Sequence, residues 1–339
     1  MKDRIKVGVI GLGMGRSHLE AYLSLPQTKV IGVCDIWRER VEEIKKEYSL
    51  EYATTDYREL LRREEIDLVS IATPDYLHYQ MCIEALKNGK HVLCEKPMVS
   101  TIEEALSLVR EVKKSGKKFM VGQVCRYAPG FRMAKHLIEK GEIGELFFVE
   151  SEYAHDYTFV EGVGGWRKDA LRRREPFLGG GCHAVDLLRW IAGDPEEVFA
   201  YANHKVLKDW PVDDCTIAIF RFPKEVLGKV FVSIGCKRPY TMRSVFYGDK
   251  GTIIADNTSP EILIYKEEWR NKGTKGFTRI PVKVASHNVK REIEEIVEAI
   301  LEDKPVKTNV VEGAKTVIAC LKGVESTREG KPVKISYPF

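Results

Sequence analysis

The sequence predicts an α/β protein in which a doubly wound parallel sheet comes first and a mostly antiparallel sheet follows. Short β-branched runs alternate with helical periodicity over the first third of the chain, which is typical of a parallel sheet covered by helices on both faces. Strand-like runs then follow one another directly, a pattern that favours antiparallel pairing. The length of 339 residues is enough for two domains.

Composition and charge are those of an ordinary globular protein. Apolar residues make up 44% of the chain and the net charge is +4, with acidic and basic side chains interleaved, so neither nucleic acid nor a membrane is expected as a partner. We see no apolar stretch of membrane-spanning length and no signal peptide. Eight scattered cysteines without a CxxC pair predict buried thiols, no metal site and a cytoplasmic location.

The alternating pattern in the first third of the chain predicts individual strands and helices. Strands are predicted at residues 5–10, 29–35, 67–72, 91–94 and 118–122. Helices are predicted at residues 16–25, 39–48, 76–87 and 101–114. The last helix follows Ser100 or Thr101 and carries Glu103 and Glu104 in its opening turn, which predicts a capping arrangement.

A glycine-rich turn follows the first strand and predicts a dinucleotide site. Gly11 would make the turn, and Gly13 would let the backbone approach a pyrophosphate without a Cβ in the way. Gly15 stands one position before the third glycine of the usual G-x-G-x-x-G pattern, so we expect a turn that is one residue tighter. Arg16 could then also reach a phosphate.

The acid at the end of the second strand favours NAD as the cofactor. Asp35 lies 20 residues beyond Gly15, where a carboxylate accepts hydrogen bonds from an adenosine ribose. A carboxylate there also repels a 2′-phosphate, although nearby Arg38 leaves NADP open.

Further motifs follow the glycine turn in order: ATP at 72–74, His78, HVLCEKP at 91–97, GQ at 122–123 and RY at 126–127. Together they resemble the glucose–fructose oxidoreductase, inositol dehydrogenase and rhizopine-catabolism family (Gfo/Idh/MocA). The resemblance implies a Rossmann domain and a second α/β domain, whose large open sheet covers the nicotinamide end of the cofactor. It also implies a homodimer or homotetramer formed through that sheet.

The remainder of the chain agrees with this organisation. We expect a Rossmann domain over 1–123 and a substrate-binding and oligomerisation domain over 124–339, with C-terminal helices that could pack back on the first domain. Strands are predicted at 146–153, 198–202, 215–222, 229–234, 244–247, 252–255 and 261–265, and helices at 288–301 and 311–327. The segment GDKG at 248–251 predicts a hairpin turn.

Lys96 and His183 are the predicted catalytic residues. Lys96 follows the predicted strand at 91–94, at the edge of a parallel sheet where ligands bind, and its ammonium could stabilise charge on a substrate oxygen. The resemblance implies that Pro97 is cis. An imidazole titrates near neutral pH, so His183 could take a hydroxyl proton.

The family motif that supplies this histidine has the form D-x-x-x-H, but the position four residues before His183 is Gly179. Candidate replacements for the missing aspartate are Tyr153, His155, Asp156 and Asp186. Asp186 could instead be an acid in the first turn of the following helix, which is the role we favour.

The full set of predicted site residues combines the glycine turn with the resemblance. The predicted cofactor-binding residues are Gly11, Leu12, Gly13, Met14, Gly15, Arg16, Asp35, Ile36, Arg38, Thr73, Pro74, His78, Glu95, Lys96 and Gln123. The predicted substrate-binding residues are Lys96, Arg126, Tyr127, Tyr153, Asp156, Trp166, Arg167 and His183. An aromatic ring and a guanidinium in one loop, as at 166–167, suit a sugar or a carboxylated polyol.

The sequence favours an NAD(P)-dependent oxidoreductase acting on a hydroxyl-bearing carbon of a sugar, sugar acid or inositol-like cyclic polyol. A lyase or glycoside-cleaving enzyme that keeps and recycles its NAD is the first alternative, because the missing aspartate leaves room for it. A non-catalytic NAD(P)-binding regulatory protein is the second.

Overall fold

The structure is a computed structural model that describes residues 4–172, 174–270, 273, 275–284 and 287–339. It divides into two compact units: unit 1 comprises residues 1–123 and 289–317, and unit 2 comprises residues 124–288 and 318–339. Within the described part of the chain, every helix is too short or too polar to cross a membrane.

The strands and helices are numbered in chain order. The strands are β1 Ile5–Ile10, β2 Thr28–Cys34, β3 Tyr52–Thr54, β4 Leu68–Ile71, β5 His91–Cys94, β6 Phe119–Val121, β7 Leu146–Ala154, β8 Glu197–Asn203, β9 Cys215–Arg221, β10 Leu227–Ser233, β11 Thr241–Gly248, β12 Gly251–Asp256, β13 Glu261–Lys266, β14 Thr278–Pro281 and β15 Val333–Lys334. The α-helices are α1 Gly15–Leu23, α2 Arg38–Glu47, α3 Tyr57–Leu61, α4 His78–Lys87, α5 Ile102–Ser115, α6 Pro129–Glu139, α7 Pro176–Gly179, α8 Cys182–Ala192, α9 Glu267–Arg270, α10 Val289–Leu301 and α11 Val310–Glu329.

Unit 1 contains the parallel sheet that the alternation predicted. Its six strands lie in the order β3-β2-β1-β4-β5-β6, and every pairing in it is parallel. The strand order reverses between β1 and β4, and the carboxyl ends at such a point are where open α/β sheets bind ligands. The glycine turn after β1 lies at this edge.

The capping arrangement of α5 is confirmed, and Thr101 is the N-cap residue. Its hydroxyl accepts a hydrogen bond from the Glu104 backbone N–H at 3.1 Å, and the Glu104 carboxylate accepts one from the Thr101 N–H at 3.2 Å. Two orphan N–H groups of the helix start are satisfied in this way. Gly116, with φ of 65°, ends the helix in the left-handed conformation that favours glycine.

Unit 2 contains a nine-stranded sheet in the order β14-β13-β12-β11-β7-β10-β9-β8-β15. The sheet is mostly antiparallel, as predicted, with a parallel pairing between β7 and β10. The hairpin predicted at 248–251 joins β11 to β12, where Gly248 pairs with Gly251. Along β9 the side chains alternate between exposed and buried, so one face of the sheet packs inward and the other faces solvent.

Candidate active site

The glycine turn of unit 1 has the shape that a pyrophosphate needs. Gly11 has φ of +86°, and a Cβ there would stand 2.6 Å from the Ala72 carbonyl oxygen, so only glycine fits. A Cβ at Gly13 would meet no atom within 4 Å, which leaves open space above the turn. Helix α1 begins at Gly15, one residue before the predicted start at residue 16. A dinucleotide phosphate fits this turn at the start of α1.

Asp35 ends β2 beside this turn. Its carboxylate accepts hydrogen bonds from the Leu12 N–H at 2.8 Å and the Trp37 N–H at 3.1 Å. Arg40, rather than the predicted Arg38, approaches it, with Nη1 3.5 Å from Oδ2. Ile36 and Trp37 follow it as exposed apolar side chains, which suits the adenine face of a nucleotide.

Arg16 is directed toward α2 in this structure. Its guanidinium bonds Glu20 at 3.2 Å and Glu47 at 2.6 Å, with the Tyr48 hydroxyl 3.3 Å away. Reaching a phosphate would require it to leave these carboxylates, so its predicted phosphate contact stays a prediction.

Glu95 lies at the end of β5 in a buried hydrogen-bonded chain. Its Oε1 is 3.2 Å from Nε2 of His18, whose Nδ1 is 2.7 Å from the Ser70 hydroxyl. Burial would raise the pKa of Glu95, but the contacts with His18 and Lys96 outweigh it and lower the pKa to about 2. Glu95 is therefore a carboxylate at neutral pH, and its Oε2 accepts a hydrogen bond from the Lys96 backbone N–H at 3.0 Å.

Lys96 begins the loop after β5 and is partly exposed. The Lys96–Pro97 peptide bond is cis, as the resemblance implied. Among the residues that the structure describes, the Lys96 ammonium makes no hydrogen bond or ion pair within unit 1. The amine is thus available to a ligand at the carboxyl edge of the sheet.

His78 connects two loops by hydrogen bonds at the carboxyl edge of the unit 1 sheet. Its Nδ1 lies 2.9 Å from the Pro97 carbonyl and its Nε2 lies 3.0 Å from the Thr73 carbonyl. Both partners are acceptors, so the ring donates from both nitrogens and is an imidazolium. Burial would lower the pKa of His78, but Cys94, Asp75 and the Pro97 carbonyl raise it to about 9. His78 thus holds the Lys96–Pro97 loop in place rather than facing a ligand.

We expect stability to depend on pH through His78. A histidine whose folded pKa is raised from 6.5 to about 9 contributes stability that is fully present below pH 6.5 and lost as the pH rises through 9. The wild-type advantage over His78→Gln should shrink across this window by on the order of 3 kcal/mol. Urea unfolding of both proteins below pH 6.5 and above pH 9 measures it. His136→Gln, on the exposed side of α6, is the control, and an equal loss in all three proteins would contradict the assignment.

Gln123 and Thr73 are the remaining predicted cofactor residues that the structure informs. The Gln123 side chain is buried, and its amide oxygen has no hydrogen-bond partner among the described residues. Such an orphaned acceptor at the end of β6 fits a hydrogen-bond donor of the cofactor. The Thr73 hydroxyl donates to the Met81 sulfur at 3.5 Å, and Pro74 precedes a 3-10 turn, so this pair also starts the helical segment.

His183 of unit 2 lies in the first turn of α8, inside the helix rather than before it. It is buried, and its Nδ1 is 3.4 Å from the Cys125 sulfur. The Tyr153 ring stacks on it, with ring centroids 6.3 Å apart and planes inclined by 24°. Of the candidate replacements for the missing aspartate, Tyr153 packs on His183.

The space beside Gly179, where the family motif would have its aspartate, is filled by the side chain of Arg174. Gly179 ends the short helix α7, not an open loop, and a Cβ at Gly179 would collide with Nε of Arg174. The Arg174 guanidinium also lies 5.0 Å from the Trp166 ring. The Arg174 guanidinium therefore occupies the space in which a side chain at position 179 would begin.

Asp186 has a different role from the one we favoured. Its two oxygens bind Arg126 in a bidentate pair, with both N–O distances 2.7 Å, and Arg189 lies 3.7 Å away. Asp186 and Arg126 are 1% and 7% exposed. The pair is internal, so the substrate contact predicted for Arg126 would compete with a buried ion pair.

The other predicted substrate residues of unit 2 are distributed around an aromatic cluster. The Tyr153 hydroxyl bonds the Tyr157 hydroxyl at 2.9 Å and Nδ1 of His155 at 3.3 Å. Asp156 is bound by Thr158 and Lys237, and the two hydrogen bonds from Thr158 are the main cause that lowers its pKa to about 2. Its carboxylate is thus engaged by these two side chains.

Tyr127, Trp166 and Arg167 have buried or stacked positions in unit 2. Tyr127 and Trp166 are buried, and the Arg167 guanidinium stacks 5.2 Å from the Trp166 ring. Its Nη1 also donates to the Val160 carbonyl at 3.0 Å. Arg167 therefore anchors the 160–168 segment in this structure.

Sequence reasoning missed several residues around the predicted site: His18, Trp37, Cys125, Arg174, Tyr240 and His287. His18 stands three positions after Gly15 on the helix face that packs inward, and this spacing could have indicated it. Arg174 was visible only as part of a basic run. Cys125 and His287 lie far from His183 in sequence and carry no local signal.

Comparisons with known proteins now identify the family. A sequence profile described as the oxidoreductase family with an NAD-binding Rossmann fold matches residues 5–123, and the profile of the GFO/IDH/MocA C-terminal domain matches residues 131–254. Together the two segments span well over half of the chain.

Characterised relatives agree with these profiles. The myo-inositol 2-dehydrogenase of Thermotoga maritima is 25% identical over 344 residues, 98% of each chain. The NAD(+)-dependent scyllo-inositol 2-dehydrogenase of Bacillus subtilis is 28% identical over 265 residues, 75% of this chain and 74% of the relative. A levoglucosan dehydrogenase solved in complex with NADH shares the fold, with a TM-score of 0.91 and 24% identity over 98% of this chain and 99% of that one. The chain belongs to the Gfo/Idh/MocA family of NAD-dependent dehydrogenases, and unit 1 carries its NAD-binding Rossmann fold.

Proposed function

We propose that this enzyme transfers a hydride between nicotinamide and a hydroxyl-bearing carbon of a sugar, sugar acid or cyclic polyol. One observation carries the proposal. Among the described residues of unit 1, the Lys96 amine forms no ion pair, and it lies at the sheet edge where the glycine turn and Asp35 also lie. The inositol dehydrogenases among its relatives act on cyclic polyols.

The proposed roles follow from the charges of the two side chains. NAD would supply the acceptor for a hydride from the substrate carbon. The Lys96 ammonium donates a hydrogen bond to the substrate oxygen and stabilises negative charge there as the carbon is oxidised. His183 accepts the hydroxyl proton, so that alcohol and NAD⁺ become carbonyl, NADH and a protonated imidazole.

Arg174 supports a preference within this substrate class. Its guanidinium fills the space beside Gly179 and stacks on Trp166, a ring and a cation together. An arginine binds a carboxylate in a planar, bidentate manner, and an aromatic face packs against a sugar ring. We therefore favour substrates that carry a carboxylate next to the reacting polyol.

The solvent-facing side of the unit 2 sheet supports the proposed homo-oligomer. Tyr201 of β8 pairs across the sheet with Ile217 of β9, and Ile219 stands two residues further along. All three side chains are exposed and apolar. We expect the wild-type protein to sediment as a dimer or tetramer and Ile219→Asp to shift it toward the monomer. A wild-type monomer at micromolar concentration would contradict this assignment.

The reaction itself is tested by following NADH absorbance with a panel of inositols, aldoses, anhydrosugars and uronic acids. Net accumulation of NADH with one of these compounds supports the proposal. Cleavage of a glycoside without net NADH would favour the enzyme that recycles its NAD. Tight NAD binding without turnover of any compound would favour a regulatory protein.

A further inference from the structure

Three side chains that can bind a metal ion meet in unit 2. Cys125 lies in a 3-10 turn, His183 in the first turn of α8, and His287 immediately before Asn288 and α10. Their ligating atoms lie within 4.8 Å of one another. Cys125 and His183 are buried and His287 is partly exposed, so the group is open on one side.

We propose that Cys125, His183 and His287 bind a zinc ion whose fourth position is open. A thiolate and two imidazoles are donors that Zn²⁺ accepts in three-ligand sites. Around a tetrahedral zinc ion, a thiolate sulfur and an imidazole nitrogen stand about 3.5 Å apart. The Cys125 sulfur lies 3.4 Å from Nδ1 of His183, so these two donors already have this spacing. The sequence predicted no metal because the donors come from three distant segments.

The groups around the three donors are arranged as the outer shell of a metal site. The Tyr240 hydroxyl lies 3.2 Å from Nε2 of His287 and fixes the orientation of that ring. Tyr153 stacks on His183, and its ring centroid lies 5.4 Å from that of Tyr240. Hydrogen bonds to ligating histidines and an aromatic wall are what orient ligands and limit water around a bound ion.

A hydrogen bond between Cys125 and His183 explains less of this arrangement than a bound metal ion does. An S–H···N contact between Cys125 and His183 would account for two of the donors. It does not include the third, His287, whose ring centroid lies 5.5 Å from that of His183 and whose Nε2 lies 3.2 Å from the Tyr240 hydroxyl. A bound cation would use all three donors, whose ligating atoms lie within 4.8 Å of one another.

Copper is the other metal ion that one cysteine and two histidines bind. Such copper sites add a long axial thioether, and the Met242 sulfur lies 3.8 Å from the Cys125 sulfur. Copper centres of this type transfer single electrons, however, whereas an NAD-dependent dehydrogenase moves a hydride. Zinc has no redox chemistry and is compatible with that reaction.

The zinc site goes beyond the proposed function: it keeps the hydride transfer and replaces one proposed role, that of His183 as the proton acceptor. Zinc would supply a Lewis acid to a substrate oxygen and so lower the pKa of the hydroxyl, whose proton would pass to solvent water. His183 would then be a metal ligand and not the proton acceptor. Metal binding is measured without substrate, so failure of the zinc proposal and failure of the dehydrogenase proposal give different results.

The test is the metal content of the purified full-length protein, combined with cobalt substitution. We expect about one zinc ion per chain by plasma mass spectrometry, and a thiolate-to-cobalt charge-transfer band when Co²⁺ is added to the chelator-treated protein. Cys125→Ser should remove both the ion and the band. His287→Gln should weaken binding at least about 10-fold because it removes a ligand.

The matched control is Cys236→Ser, a half-buried cysteine of the same unit whose thiol contacts the Ser233 carbonyl at 3.6 Å. It should keep the ion and the cobalt band. Circular dichroism and NAD binding of every variant establish that the fold is retained. A folded wild-type protein that binds neither zinc nor cobalt, or that binds copper with an intense blue colour in place of zinc, would overturn the proposal.

Discussion

We expect Lys96→Ala to lower kcat by about 10²-fold or more while NAD affinity changes little. The side chain makes no hydrogen bond or ion pair within unit 1 among the described residues, so its removal breaks no contact that holds this loop. The loop is held instead by the backbone N–H of Lys96 on Glu95 and by His78 on the Pro97 carbonyl. The loss therefore falls on charge stabilisation at the substrate oxygen.

Steady-state kinetics with the best substrate and fluorescence titration with NADH separate these effects. Lys96→Arg keeps the cation but changes its geometry, so it should recover part of kcat. Lys87→Ala, an exposed lysine at the end of α4, should match the wild type in both measurements. An unchanged kcat in Lys96→Ala would remove this amine from the mechanism, and a parallel loss of NADH binding would make it a cofactor contact.

The sheet of unit 1, apart from its edge strand β3, could be predicted because each of its other strands has a local apolar pattern. The runs at 5–10 and 91–94 are apolar or β-branched, and the strands lie at Ile5–Ile10 and His91–Cys94. The cap at Thr101 could be predicted for the same reason, because a capping box depends on residues within four consecutive positions. Periodicity and caps depend on near neighbours, which a sequence displays directly.

Short edge elements could not be predicted in the same way. β3 has three residues and β15 has two, and each follows from pairing with a neighbouring strand rather than from its own pattern. β14, Thr278–Pro281, is a polar edge strand with mostly exposed side chains, so it lacks the apolar alternation that marks a half-buried strand. For these segments the tertiary partner decides the conformation.

The site residues also differ in whether the sequence could predict their positions. Gly11, Asp35 and Lys96 follow directly after strands, and the sequence placed them at the sheet edge because parallel strands end together. The group of Cys125, His183 and His287 forms only when a turn, a helix start and a loop come together in unit 2, so the sequence could not indicate it. Arg126 was interpreted through its motif as a substrate contact, whereas its partner Asp186 is 60 residues away.

We expect this buried pair to dominate the mutational sensitivity of unit 2. Replacing Asp186 by Ala removes the carboxylate that faces Arg126 and leaves the guanidinium in a site that is 7% exposed. Breaking one partner of a buried pair costs about 3–5 kcal/mol in the free energy of unfolding, because the remaining charge loses its compensation. Arg126→Ala should cost less, because Arg189 remains 3.7 Å from the Asp186 carboxylate. Urea unfolding followed by near-ultraviolet circular dichroism measures both.

The double replacement distinguishes an ion pair from two independent roles. Arg126→Met combined with Asp186→Leu removes both charges, so its free energy of unfolding should fall by less than the sum of the single losses. Arg279→Met, which breaks the exposed pair with Glu261, should change stability by less than about 1 kcal/mol. If Arg126→Met instead kept wild-type stability and raised KM, the guanidinium would belong to the substrate, and Asp186 would serve to orient it. Additive losses in the double variant would equally contradict the pair, because two uncoupled side chains gain nothing from being removed together.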